Sequence, residues 1–141
     1  MNKSAIIIRP LKPSDIADIM QLHRELGWNP AFMADGSTLK QRLEALITGE
    51  NALLLVAELN GKVVGYIHGE IVTYLLFAGR EMLVSELFVM ESARGRGVGK
   101  ALLNGIESEA VNQKCFRISV LNSRERESYK RGFYPSLGYE E

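Results

Sequence analysis

Between Arg94 and Lys100 the chain reads Arg-Gly-Arg-Gly-Val-Gly-Lys, three glycines interleaved with three cations. An apolar run, Val84 to Met90, precedes it, and residues with helical spacing follow from Val98. A helix N-terminus presents N–H groups without intrahelical partners and a partial positive charge, so it favours an anion. Glycine lets the backbone approach that anion closely. A phosphate-bearing ligand is the expected partner. The Walker A pattern fails, because Arg94 and Ala101 stand where it needs Gly and Ser or Thr. The dinucleotide fingerprint fails at Lys100, where its last glycine would fall. A short Arg-Gly nucleic-acid segment fits less well, since such segments are repetitive and this one sits between apolar elements. A plain strand-to-helix turn accounts for one or two glycines, not for three with Arg94, Arg96 and Lys100.

A second place for chemistry is Glu86. A carboxylate inside an apolar run is costly unless it has a task or a partner. Period 2 sets Ser85 and Glu86 on opposite faces, and His68 and Glu70 in the preceding run are alternatives.

The elements that must position these groups follow from periodicity and turn chemistry. Ala5 to Arg9 is a β-branched run ended by Pro10, a first strand. Ser14 is expected to cap a helix carrying Ile16, Ile19, Met20, His23 and Leu26 on one stripe, with Gly27 as its stop. His23, beside that stripe, reads as a partly buried structural histidine. Trp28 to Gly36 is irregular, and Thr38 with Gln41 suggests a capping box for a second helix that ends at Gly49. Leu53 to Leu59 and Lys62 to Thr73 are strands joined by Asn60-Gly61, a hairpin signal because both turn residues need φ > 0. Glu81 to Met90, after a turn near Ala78-Gly79, completes an antiparallel meander. The loop, a helix through Ala110, a strand from Phe116 to Leu121 and a last helix from about Ser123 follow.

Length and composition narrow the class. At 141 residues the chain is expected to be one domain, 1–141, and its 46% apolar and 24% charged content is ordinary for a globular protein. A formal net charge of zero gives no global field toward nucleic acid or an anionic membrane. Cys115 is the only cysteine, so no internal disulfide forms and a reducing cytoplasm is the expected home. Its apolar strand context reads as a small buried hydrophobe. The N-terminus lacks a signal-peptide pattern, and no run is long enough to span a bilayer. No cluster has metal-ligand spacing, and no Gly-x-Ser-x-Gly elbow appears, so neither a metal nor a serine nucleophile is expected.

Arg94, Gly97 and Gly99 form Arg-x-x-Gly-x-Gly after a strand, which resembles the coenzyme A pyrophosphate loop of the GCN5-related N-acetyltransferases, the GNAT superfamily. The order β-α-α-β-β-β-α-β-α is similar to that family's over nearly the whole chain. The resemblance implies an α+β fold in three α/β/α layers, with a mixed, mostly antiparallel sheet whose fourth and fifth strands splay apart. Acetyl-CoA is the implied cofactor. Its pantetheine would meet the main chain of Leu87, Phe88 and Val89, and its pyrophosphate the loop Arg94, Gly95, Arg96, Gly97, Val98, Gly99 and Lys100. Asn122 matches a position where relatives often carry an Asn near the pantetheine. Phe133-Tyr134-Pro135-Ser136-Leu137-Gly138-Tyr139 looks like the family's Phe-Tyr-x-x-x-Gly-aromatic signature, which implies Tyr134 as the acid toward the coenzyme A sulfur. Tyr129, seven residues beyond Asn122, is its rival. Relatives use an acidic residue near Glu86 as base through a water, and in some the acting position corresponds to Ser85.

The implied activity is direct acetyl transfer to a primary amine in a ternary complex, with a small molecule as acceptor. The acceptor would be selected by Trp28, Phe32, Met33 and Asp35, with Tyr66, His68, Glu70 and Tyr74. Two alternatives stay open: a non-catalytic acetyl-CoA sensor or regulatory module, and an enzyme acting on protein N-termini or lysines. Relatives usually continue into two more strands where this chain stops at Glu141. Either the chain is truncated or that hairpin is absent, and a second copy of the chain in a homodimer would suit the exposed sheet edge.

Overall fold

The computed structural model describes residues 5–122 and 126–141. Five strands form one sheet in chain order: β1 Ile6–Pro10, β2 Ala52–Leu59, β3 Lys62–Val72, β4 Arg80–Val89 and β5 Cys115–Val120. The first four are antiparallel neighbours, and β5 joins β4 in parallel. A parallel neighbour requires a crossover, which helix α3, Val98–Asn112, supplies. Asn60 and Gly61 carry φ of 55° and 76°, the left-handed pair that a two-residue hairpin between β2 and β3 demands.

Helices α1, Ile16–Glu25, and α2, Gly36–Thr48, cover one face, and α3 covers the other. The alternation of β3 shows this directly. Tyr66 meets His23 of α1, whereas a Cβ on its neighbour Gly65 would meet Leu102 of α3. Val56, Ile67, Met82, Leu102 and Ile106 are wholly buried at the centre of the core. The layers and the mixed sheet are those the sequence implies. Among the described residues no helix is long and apolar enough to cross a membrane.

Several boundaries move, each for a local reason. Ser14 does not cap α1. A 3-10 turn, Pro13–Asp15, precedes the helix, and the Asp15 carboxylate is tied to the Lys12 N–H and to Arg9, at 2.8 Å in each case. Asp35, not Thr38, caps α2: its carboxylate accepts from the Thr38 N–H at 2.7 Å, so the helix opens earlier. The expected start of a last helix at Ser123 lies outside the described residues. Beyond it stand two single-turn helices, α4 Glu127–Lys130 and α5 Phe133–Ser136, with Gly132 between them.

Leu102 has no exposed surface and reaches the sheet beneath Gly65. Leu102→Ala is expected to lower stability by about 2–5 kcal/mol, read from the urea midpoint with an unchanged slope.

Candidate active site

The pairing of β3 with β4 is not uniform. His68 stands opposite Glu86 and Gly69 opposite Val84, so Ser85 is an extra residue, a β-bulge. On one side of it, the Val84 carbonyl accepts from the Leu121 N–H at 3.0 Å, so Val84 faces β5. On the other, the Met90 N–H donates to the Val64 carbonyl at 2.7 Å, so Met90 faces β3. By alternation Phe88 and Glu86 also face β3, and the main-chain groups of Leu87 and Val89 face away from it. Pairing with β5 stops at Val84. Among the described residues no strand pairs with the outer side of β4 from Leu87 to Val89, so the N–H groups there and the Leu87 carbonyl can meet an extended ligand with amides. The Arg94 Nε–H already reaches the Val89 carbonyl at 3.2 Å.

The bulge also turns side chains over. Met82 packs beneath α3 beside Ile106, and strict alternation would carry Glu86 and Phe88 onto that face. Instead Glu86 meets Tyr66 and His68 on the α1 side, and the Phe88 ring lies edge-on to Tyr66 and Trp28, with centroids at 5.7 and 6.3 Å.

A cavity of about 1240 Å³ runs along this side of the sheet and into the gap beside β4. Its cationic end is the loop into α3. Gly97 precedes the helix with φ +82°, a conformation that strains any other residue. The first helical bond there is Ala101 N–H to the Gly97 carbonyl, so the N–H groups of Val98, Gly99 and Lys100 are the orphan donors of this terminus. Arg94 and Lys100 line the same end. Open strand edge, free helix N-terminus and two cations fit a pantetheine arm carrying a pyrophosphate.

At the other end of the gap, five side chains are linked. Tyr66 donates to Glu86 Oε1 at 2.8 Å, and His68 Nδ1–H donates to Oε2 at 3.0 Å. Because the Tyr66 proton is spent on Glu86, its oxygen accepts from His23, whose Nε2 lies 2.8 Å away and carries the hydrogen. His68 Nε2 lies 3.4 Å from Glu70 Oε1, an ion-pair distance without hydrogen-bond alignment. The hydrogen bond from His68 holds the Glu86 carboxyl below its ordinary range, with Tyr66 adding to it, and this outweighs the burial that opposes ionisation. Burial works against a charged His68, yet the Glu86 hydrogen bond and the two carboxylates together raise its pKa. Burial pushes His23 down, so it stays neutral at neutral pH.

Tyr134 is buried and lines the cavity, and burial raises its pKa, so the phenol keeps its proton. Its rival Tyr129 donates instead to Glu141 at 2.9 Å. Of the other residues expected here, Leu87, Phe88, Val89, Gly95, Gly97, Val98, Gly99, Asn122, Trp28, Phe32 and Tyr66 line the cavity with Glu86. Arg96 is exposed and does not line it, and Glu70 approaches only through His68. Asp35 is engaged as the α2 cap, and Tyr74, on the β3–β4 connection, donates to Glu81 of β4, away from the cavity. Two residues were not anticipated. His23 reads in the sequence as structural, yet it reaches Tyr66. Arg126 stacks its guanidinium 4.6 Å from the Phe88 ring centroid and lines the cavity, and burial is the main force lowering its pKa. Helical spacing hinted at neither contact.

A profile of the acetyltransferase (GNAT) family matches residues 15–139. A thialysine N-epsilon-acetyltransferase of Mus musculus is 31% identical over 127 residues, 82% of this chain and 74% of that protein. The fold is similar to that of an aminoglycoside N-acetyltransferase in complex with coenzyme A, with a TM-score of 0.83, 21% identity and coverage of 99% and 91% of the two chains. It is similar also to glucosamine-6-phosphate N-acetyltransferase of Arabidopsis thaliana, with a TM-score of 0.80, 20% identity and coverage of 97% and 92%. These structural likenesses carry the fold, while the profile and the mouse relative carry the kinship. The chain belongs to the acetyltransferase (GNAT) family, as an N-acetyltransferase whose acetyl donor is acetyl-CoA.

Proposed function

We propose that this protein acetylates a primary amine of a small molecule by direct transfer within a ternary complex. The observation that carries this reading is one cavity lined by the anion loop, the open edge of β4, Tyr134 and the Glu86 network. The mouse relative, named for acetylating a side-chain amine of an amino acid, supports a small primary amine as acceptor.

In this account the loop from Gly95 to Lys100 holds the pyrophosphate, and Leu87 and Val89 hold the pantetheine amides through the main chain. The bound cofactor supplies an acetyl thioester. Glu86, kept ionised by His68 and Tyr66, attracts the acceptor ammonium and orients a water that takes its proton. The neutral nitrogen then forms the new C–N bond as the C–S bond breaks; Tyr134 gives its proton to the departing thiolate, and the proton that the nitrogen sheds on becoming an amide restores the phenol. Trp28, Phe32 and Tyr66 border the acceptor, with the Phe88 ring as a shared wall. A reducing cytoplasm belongs to the same proposal, supported by the half-buried Cys115, whose thiol is pushed up by burial. So does a homodimer, supported by exposed Phe116 on β5 and Leu121 just beyond it.

Thiol release from acetyl-CoA, followed against amines, amino acids and short peptides, tests the reading. Release should require an amine, and release favouring peptides would shift the acceptor to proteins. Tyr134→Phe is expected to lower kcat by about 10²-fold while coenzyme A binds within twofold of wild type. An unchanged kcat removes Tyr134 from the reaction. Gly97→Glu combines a strained φ with a negative charge beside the pyrophosphate, so calorimetry should detect no coenzyme A binding. Retained affinity contradicts the loop assignment.

Glu86→Gln should cost about 10²-fold in kcat/KM at neutral pH. The deficit should shrink as pH approaches the acceptor pKa, about 10.4 for a lysine-like amine, because less deprotonation is then needed. The same variant bears on the His68–Glu86 pair. A raised His68 stabilises the fold fully below about pH 6.5 and loses that contribution as pH rises through its folded pKa. A lowered Glu86 contributes fully above about pH 4.3 and loses it as pH falls. Glu86→Gln should therefore lower the His68 pKa measured by NMR, and an unchanged value would mean the two side chains do not pair in solution.

A further inference from the structure

Building on the N-acetyltransferase reading, on which it rests, we propose that the preferred acceptor is a monoamine with an apolar tail. That tail would run from Glu86 into the cleft between α1, α2 and β2. Register sets Glu86 of β4, His68 of β3 and Leu54 of β2 in one row across the sheet. With strands spaced about 4.8 Å apart, Leu54 lies roughly 10 Å from Glu86. The cavity that contains Glu86 continues to that end, where Met33, Leu39, Leu43, Leu46 and Leu54 line it. Leu39, Leu46 and Leu54 are only half-buried, so their apolar surface still borders the cavity.

The charges are arranged unevenly along this channel. Among the described residues the cavity-lining carboxylates are Glu86 and Glu25, and Glu25 accepts from the Glu91 N–H just beyond β4, at the cofactor end. Among the described residues, the charged side chain lining the α2 end is Arg42, a cation. An ammonium held at Glu86 therefore has hydrocarbon behind it and a positive charge at the far end. A second ammonium at the tip of the tail would lose its water, meet no carboxylate and face Arg42. A methyl-ended chain would instead gain with each methylene it buries.

The test is thiol release with the n-alkylamines from butylamine to octylamine and with the α,ω-diamines of matching length. For the monoamines kcat/KM is expected to rise roughly fourfold per methylene, ~0.8 kcal/mol each, until the channel is filled. Each diamine is expected to fall at least tenfold below its monoamine. Leu46→Glu places a carboxylate near the end of the tail and should reverse that preference, with coenzyme A affinity unchanged as the check on folding. Should that variant not fold, the wild-type series decides alone. A flat dependence on chain length, or diamines matching monoamines, overturns the proposal. Calorimetric titration of octylamine onto the coenzyme A complex separates the two readings. Binding of octylamine but not of diaminooctane, without release from acetyl-CoA, upholds the channel and overturns acetyl transfer. Release that ignores chain length overturns the channel and leaves acetyl transfer standing.

Discussion

The extra residue at Ser85 is the constraint on which the site depends. A regular ladder between β3 and β4 would keep Glu86 and Phe88 on the α3 face, buried with Met82 and Val84. There a carboxylate would have neither water nor a partner, at a cost of several kcal/mol. The bulge shifts the phase of β4 by one residue. Glu86 then meets Tyr66 and His68, Phe88 forms a wall beside Trp28, and the main chain of Leu87 and Val89 turns outward. One backbone irregularity thus creates both the strand edge that can hold a cofactor and the carboxylate that faces an acceptor.

The rest of the fold holds these two products in place. α3 packs its buried stripe under the sheet, and its N-terminus emerges where β4 is left unpaired. The C-terminal segment closes the same gap from the other side: a Cβ at Gly99 would lie 3.2 Å from the Phe133 ring, next to Tyr134. Charge is separated along the cavity. Cations gather at the loop, and Glu86 carries negative charge within a network of hydrogen-bonded aromatic and imidazole groups. Both ends are preorganised, because neither Gly97 nor the Glu86 network needs rearrangement to present its hydrogen-bonding groups.

What was legible in the sequence was mainly local. Asn60-Gly61 announced its hairpin through its demand for positive φ, and the glycine-cation loop announced an anion site through the same backbone logic. Glu86 stood out because a carboxylate in an apolar run needs a reason. What escaped was set by tertiary contacts. No glycine or proline stands beside Ser85 in β4 itself, and Gly69 across the shift does not tell which strand carries the extra residue, so alternation alone could not say which face Glu86 takes. The Asp35 cap was hidden by the capping-box pattern at Thr38 and Gln41, which competes for the same turn. His23 and Arg126 reach the cavity through packing between distant segments. The cleft over Leu54 is lined from both α1 and α2, and spacing within either helix does not encode how the two pack together.

Amide hydrogen exchange along β4, followed residue by residue by NMR, tests the central claim most directly. The account predicts slow exchange at Phe88 and Met90 in the free protein and fast exchange at Leu87 and Val89. Adding coenzyme A should slow Leu87 and Val89 selectively, because their N–H groups acquire carbonyl partners from the ligand. Protection already present at Leu87 and Val89 in the free protein, or exchange there that ignores saturating coenzyme A, would contradict it.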